Sequence, residues 1–81
     1  MIEQSEHLDD LIKLGKRIRY LREDKGLSQE SLGFLAGLHR NYISKLELAQ
    51  KNPTYTTLIK LSIALEINIA ELIQTTLEDN T

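Results

Sequence analysis

The chain has no cysteine, a single proline, and no apolar run approaching the length of a membrane span. Without cysteine, disulfide staples and thiolate metal sites are excluded, and a reducing cytoplasm is the expected setting. The opening stretch MIEQSEHLDD is acidic and broken, so it carries neither a secretory-signal pattern nor a span. Histidine is scarce: His7 and His39 are the only two, and neither has a second ligand at useful spacing, so no metal centre is expected. No carboxylate pair forms a catalytic constellation, so neither an enzyme nor a cofactor is expected. Repeats, low-complexity tracts and strand-like alternation are missing too, which leaves an all-α chain.

Lysine and arginine are absent from both ends. Residues 1–12 hold Glu3, Glu6, Asp9 and Asp10, and residues 61–81 hold Glu66, Glu71, Glu78 and Asp79, with no cation in either segment. All 10 cations therefore fall between Lys13 and Lys60, against Glu23, Asp24, Glu30 and Glu47, giving that middle a charge of 10 − 4 = +6 although the whole chain carries −2. A basic block between acidic ends fits a face turned to phosphates and another turned away.

The length of 81 residues allows one domain, and a hydrophobic fraction of 41% supplies a modest core if the chain is helical. That domain is expected to have its core at about 8–77 and a frayed tail at 78–81. The stretch from Gln29 to Leu46, QESLGFLAGLHRNYISKL, organises it as two short helices and a tight turn. Leu32, Leu35, Leu38, Ile43 and Leu46 give each helix a buried side, and the small residues Gly33 and Gly37 sit where the helices must nearly touch. Leu27 with Leu32, and Leu38 with Ile43, are placed to act as hydrophobic staples that fix the angle at which each helix begins. This is a helix-turn-helix pattern, whose second helix can lie in a DNA major groove.

The remaining elements follow the same local rules. A first helix is predicted from about Leu8 to Lys25 on the spacing of Leu8, Leu11, Leu14, Ile18 and Leu21, closed by left-handed Gly26. Its outer side carries Lys13, Lys16, Arg17 and Arg19. Ser28 caps the second helix, which runs to about Ala36. Gly33 costs that helix up to about 1 kcal/mol relative to Ala, which close passage of a neighbouring backbone would explain. The third helix, about Arg40 to Leu48, buries Ile43 and Leu46 and turns Asn41, Ser44, Lys45 and Leu48 outward. His39 is a weak cap and Arg40 puts a cation at the positive dipole end, so stability alone would select neither. Departures of this kind mark function. Arg can pair with guanine O6 and N7, Asn with adenine, and Leu48 can meet a thymine methyl.

After a turn in which Lys51 and Asn52 can donate to phosphate, Thr54 caps a fourth helix with Leu58, Leu61 and Leu65 inward and Ile59 and Ile63 flanking. Asn68 and Glu71 have capping-box spacing, with Ile67 and Leu72 as staple, for a fifth helix from about Ile69 to Leu77. Ile69, Leu72, Ile73 and Leu77 offer apolar surface for a homodimer.

From about Leu14 to Ile73 these residues resemble the λ repressor and Cro type of helix-turn-helix proteins, the XRE family. The resemblance is carried by IRYLREDKGLSQESLGFLAGL, ISKLE, the KNP turn and IALEINIAELI. The HRNYIS stretch is similar to the controller proteins of restriction-modification systems. The resemblance implies a five-helix λ-repressor-like fold that binds double-stranded DNA. Arg40, Asn41, Ser44 and Lys45 match base-contacting positions, Gln29 a phosphate anchor that also supports the reading helix, and Tyr42 a residue lying against the sugar-phosphate strand. Arg17, Ser28, His39, Lys51 and Asn52 complete the expected backbone contacts. Arg22 and Glu47 match a salt bridge tying the first helix to the third. Leu48 and Ala49 stand where the family often has Arg and Gly, and Glu66 stands where Gly is common, so a different turn is expected there. The implied function is a transcriptional regulator that occupies an inverted-repeat operator as a homodimer, with RNA polymerase as a further partner at the promoter. An antitoxin-like protein-interaction module on the same fold is the competing reading.

Overall fold

The computed structural model describes residues 7–74, and these form five helices: α1 (Leu8–Asp24), α2 (Gln29–Ala36), α3 (Arg40–Glu47), α4 (Tyr55–Ala64) and α5 (Ile69–Leu72). Side chains of the turns start most of them. Ser28 Oγ accepts from the Ser31 N–H at 2.9 Å, and Thr54 Oγ1 from the Thr57 N–H at 3.2 Å. Asn68 and Glu71 form a reciprocal capping box, with Asn68 Oδ1 taking the Glu71 N–H at 2.8 Å. Each cap satisfies an amide that the first helical turn leaves without a partner.

Four helices end in one way, a Schellman closure around a left-handed residue. At the end of α1 the Leu27 N–H reaches the Arg22 carbonyl at 3.0 Å and the Gly26 N–H the Glu23 carbonyl at 2.9 Å. The same pair of bonds closes α2 at Gly37, α3 at Ala49 and α4 at Glu66. The left-handed residues have φ of 73°, 70°, 62° and 61° in that order. A different turn was expected where Glu66 replaces glycine, but the left-handed form is kept, and Ala49 keeps it too. Both carry a Cβ in a region that L residues disfavour by about 1 kcal/mol or more.

The core gathers Ile18, Leu32, Ala36, Ile43, Leu46, Leu61, Ala64, Leu65 and Leu72. Full burial of such an aliphatic side chain stabilises the fold by about 1.5–3 kcal/mol. Leu27, Leu38 and Ile67, the residues preceding the caps, pack against this cluster, which contains their expected staple partners Leu32, Ile43 and Leu72.

Several assignments from periodicity change sides. Leu35 is 55% exposed, because α2 buries the arc through Leu32, Gly33 and Ala36 against α3 and α4, and Leu35 projects about 110° from the middle of that arc. Leu8, at the first position of α1, is 43% exposed. Leu72 is fully buried inside the subunit, so it belongs to the core and not to a surface open to a second copy. Helix α5 ends at Leu72 and not at Leu77. Its last turn tightens as the Gln74 N–H bonds the Glu71 carbonyl three residues back, and Leu77 lies outside the described residues, as does the tail.

Candidate nucleic-acid interface

α3 is held from behind by apolar burial and a polar knot. Ile43 and Leu46 are sealed in the core, while Arg40, Asn41 and Lys45 are exposed and Ser44 half-buried, so the face opposite Ile43 is open to solvent. Behind α3, Arg22 grips Glu47 with two donors, Nε to Oε2 at 2.6 Å and Nη2 to Oε1 at 3.1 Å. Its remaining Nη1 donates to the Leu27 carbonyl at 2.8 Å, just ahead of α2. Gln29 Nε2 adds a third donor to Glu47, 3.0 Å from Oε1. One carboxylate thus joins α1, the start of α2 and the end of α3. Glu47 raises the Arg22 pKa chiefly by hydrogen bonding, against the opposing effect of burial, and so secures its charge.

The two glycines expected where the helices nearly touch have different causes. At Gly33, a Cβ would stand 2.5 Å from the Leu38 carbonyl oxygen, so the turn between α2 and α3 passes where a side chain would be. Gly37 is different: nothing lies within 4 Å of its hypothetical Cβ, and its φ of 70°, not close packing, selects glycine. Sequence reasoning missed Gly15, where a Cβ would meet the Leu46 and Glu47 carbonyl oxygens at 2.6 and 2.8 Å. A helix-interior glycine was the available signal. It also missed the ion pair of Lys25 Nζ with Glu66 Oε1 at 2.8 Å, which joins the end of α1 to the α4–α5 turn.

The starts of α2 and α3 open onto one cleft, lined by Arg22, Ser28, Gln29, Glu30, Arg40, Asn41 and Ser44. Two helix N-termini and the exposed Arg40 favour anions here, while Arg22 is already committed to Glu47 and Leu27. Lys45 lies on the same outward side of α3, and exposed Lys51 and Asn52 follow in the loop before Pro53. Exposed Leu48, at 63%, ends the row begun by Asn41, Ser44 and Lys45.

The proposed backbone contacts fare unequally. Ser28 Oγ donates to Ser31 Oγ at 2.9 Å besides capping α2, so its hydroxyl hydrogen is used within its own turn. What this position turns outward is the start of a helix. His39 Nδ1 accepts the Asn41 N–H at 3.0 Å, which places the ring proton of the neutral imidazole on Nε2. The Tyr42 ring packs against the core and is half-buried. Arg17 is not on this face: its Nε and Nη2 donate to the Glu71 carbonyl at 3.2 and 2.9 Å, so α5 takes the donors expected for a phosphate.

The helix-turn-helix family HTH_3 matches residues 18–72, more than half of the 81-residue chain. The chain belongs to this family. Membership makes it a DNA-binding transcriptional regulator. Among helix-turn-helix relatives, the uncharacterized transcriptional regulator y4dJ of Sinorhizobium fredii is 40% identical over 83% of this chain and 88% of its own length. Control protein C.SmaI of Serratia marcescens is 40% identical over 74% of this chain and 71% of its own. The crystal structure of the restriction-modification controller protein C.AhdI from Aeromonas hydrophila superposes with a TM-score of 0.78 at 48% identity, covering 79% of this chain and 97% of that one.

Proposed function

We propose that this helix-turn-helix protein occupies an inverted-repeat operator as a homodimer and controls transcription from the promoter that the operator adjoins. The observation that carries this is the outward face of α3, where Arg40, Asn41, Ser44 and Lys45 stand clear of the buried Ile43 and Leu46 beside the open start of α2. Arg40 and Asn41 read base edges through paired hydrogen bonds, with Ser44 and Lys45 continuing the row. Gln29, His39, Tyr42, Lys51, Asn52 and the start of α2 at Ser28 hold the sugar-phosphate strands and fix register.

The two-fold contact is assigned to the α4–α5 end. With Leu72 committed to the core, exposed Ile63 at 70%, half-buried Ile69 and Ile73 at 38% supply its apolar surface. Residues 61–81 carry Glu66, Glu71, Glu78 and Asp79 and no lysine or arginine, which favours turning this segment away from DNA. A two-fold dimer then sets its reading helices about 34 Å apart, one turn of duplex. Regulation comes from where that site lies relative to RNA polymerase. No helix among the described residues is long and apolar enough to cross a membrane, which fits work in the cytoplasm. Its likeness to C.SmaI and C.AhdI supports the more specific role of a restriction-modification controller.

Selection of bound duplexes from a random pool tests the operator reading, and an inverted repeat is the expected product. Recovery of no common sequence would overturn it. Sedimentation tests the dimer, and a monomer at high micromolar concentration would overturn that part. Adjoining genes for an endonuclease and a methyltransferase are expected of a controller, and their absence would count against that role.

A further inference from the structure

α1 is fastened to two elements with different tasks. Toward the reading helix, Gly15 lets its backbone close on the carbonyl oxygens of Leu46 and Glu47, and Arg22 grips the Glu47 carboxylate. Toward the other end of the molecule, Arg17 presents Nε and Nη2 to the Glu71 carbonyl oxygen, 3.2 and 2.9 Å away across 54 positions of sequence. That oxygen belongs to a helix of 4 residues whose beginning is already fixed by the Asn68–Glu71 capping box. Carbonyls at a helix end carry the negative end of its dipole, so a guanidinium held there by two N–H groups makes a strong, directional tie.

We infer that Arg17 is a positioning residue, which fixes the angle between α5 and the α1–α3 unit and thereby the spacing between half-sites that the dimer accepts. The inference rests on the proposed dimer contact at the α4–α5 end. With α1 rigid against α3, any freedom where α1 meets α5 becomes freedom of one reading helix relative to its two-fold mate. The lever is long: a tilt of about 10° acting over ~17 Å, half the distance between half-sites, moves a reading helix by ~3 Å, close to the ~3.4 Å rise of one base pair. Together with the Lys25–Glu66 pair and the buried Leu72, this tie therefore bears on how readily the dimer follows one inserted base pair, which also turns a half-site by about 34°. The expectation that Arg17 meets a phosphate predicts something else: uniform loss on every duplex and a shallower salt dependence.

The test uses the full chain, the inverted-repeat duplex recovered by selection, the same duplex with one base pair added or removed at its centre, and a single half-site duplex. Wild type is expected to lose about tenfold or more on each altered spacing, the scale of one poorly matched position. Arg17→Ala and Arg17→Lys, each shown to be helical by circular dichroism and dimeric by sedimentation, are expected to shrink that loss to about threefold while binding the half-site as wild type does. Arg17→Lys keeps the charge but not the two-pronged donor, so a phosphate contact would survive it and the tie would not. An unchanged spacing preference in dimeric variants overturns the inference alone. So does a uniform loss in Arg17→Ala that Arg17→Lys restores. A monomeric wild type overturns the dimer reading and the inference together.

Discussion

The backbone of Gly15 in α1 lies so near the end of α3 that a methyl group on its Cα would stand 2.6 Å from the carbonyl oxygen of Leu46. Two helices distant in sequence therefore touch backbone to backbone, with Arg22, about two turns further along α1, closing the same contact through Glu47. This contact sets the pitch of α3 against α1.

Gly15→Ala would gain about 1 kcal/mol in helix propensity, yet overpacking a close contact costs about 1–3 kcal/mol or more. The atoms in the way are helical backbone, which cannot rotate aside as a side-chain end can. Overpacking is expected to win, and urea unfolding should show a net loss of about 1–2 kcal/mol with weaker operator binding. A variant more stable than wild type would contradict the close approach.

The Arg22–Glu47 tie is buried, with side-chain exposures of 10% and 4%. Removing one partner of such a pair costs about 3–5 kcal/mol, because a charge is left behind without its counter-charge. Glu47→Ala also strips Gln29 Nε2 of its acceptor. Small domains have on the order of 5 kcal/mol in total, so Glu47→Ala should be close to unfolded at 37 °C. Combining Arg22→Met with Glu47→Leu should cost far less than the two single changes added together. Additive losses in a denaturant series would show that the pair does not act as a unit.

Glu66 combines an unfavourable backbone conformation, φ 61°, with an ion pair to Lys25. Lys25 holds the Glu66 carboxyl below its ordinary pKa, first through the hydrogen bond and then through charge. A carboxylate lowered on folding contributes stability above its unfolded pKa, and that contribution disappears as pH falls through the folded one. Glu66→Gly relieves the left-handed residue at every pH but sacrifices the ion pair only where wild type has it. Thermal melts should therefore show the variant gaining on wild type as pH drops from 7 to about 3. A pH-independent difference would mean that the exposed pair contributes nothing measurable.

Base reading and phosphate binding are expected to separate in Arg40 and Lys51. Arg40→Ala should cost about 1–3 kcal/mol on the selected operator and relax preference at one base position. Lys51→Ala should weaken cognate and random duplexes alike and reduce the salt slope by about one unit. Competition binding across salt concentrations measures both. Equal losses on cognate and random DNA for Arg40→Ala would remove it from the readers.

Much of the fold could be read without coordinates, because the signals were short-range. A cap involves residues three apart and a Schellman closure residues five apart, so Ser28, Thr54, Asn68, Gly26 and Gly37 announce helix boundaries wherever the helices later go. The outward row on α3 was legible for the same reason: Ile43 and Leu46 fix its inward side within a single helix. Ala49 and Glu66 occupy the same left-handed position as the glycines, yet nothing in an alanine or a glutamate advertises it.

By its order of residues alone, this chain determined where five helices begin and which face of α3 stays wet, since neighbours within one or two turns decide those questions. Tertiary structure decided which apolar stripe found a partner and where the long cations ended. Leu35 lost its cover, Leu72 vanished into the core, and Arg17 left the phosphate face for the Glu71 carbonyl. Each outcome depends on a helix arriving from elsewhere in the chain, and periodicity describes a helix without saying what will come to lie against it.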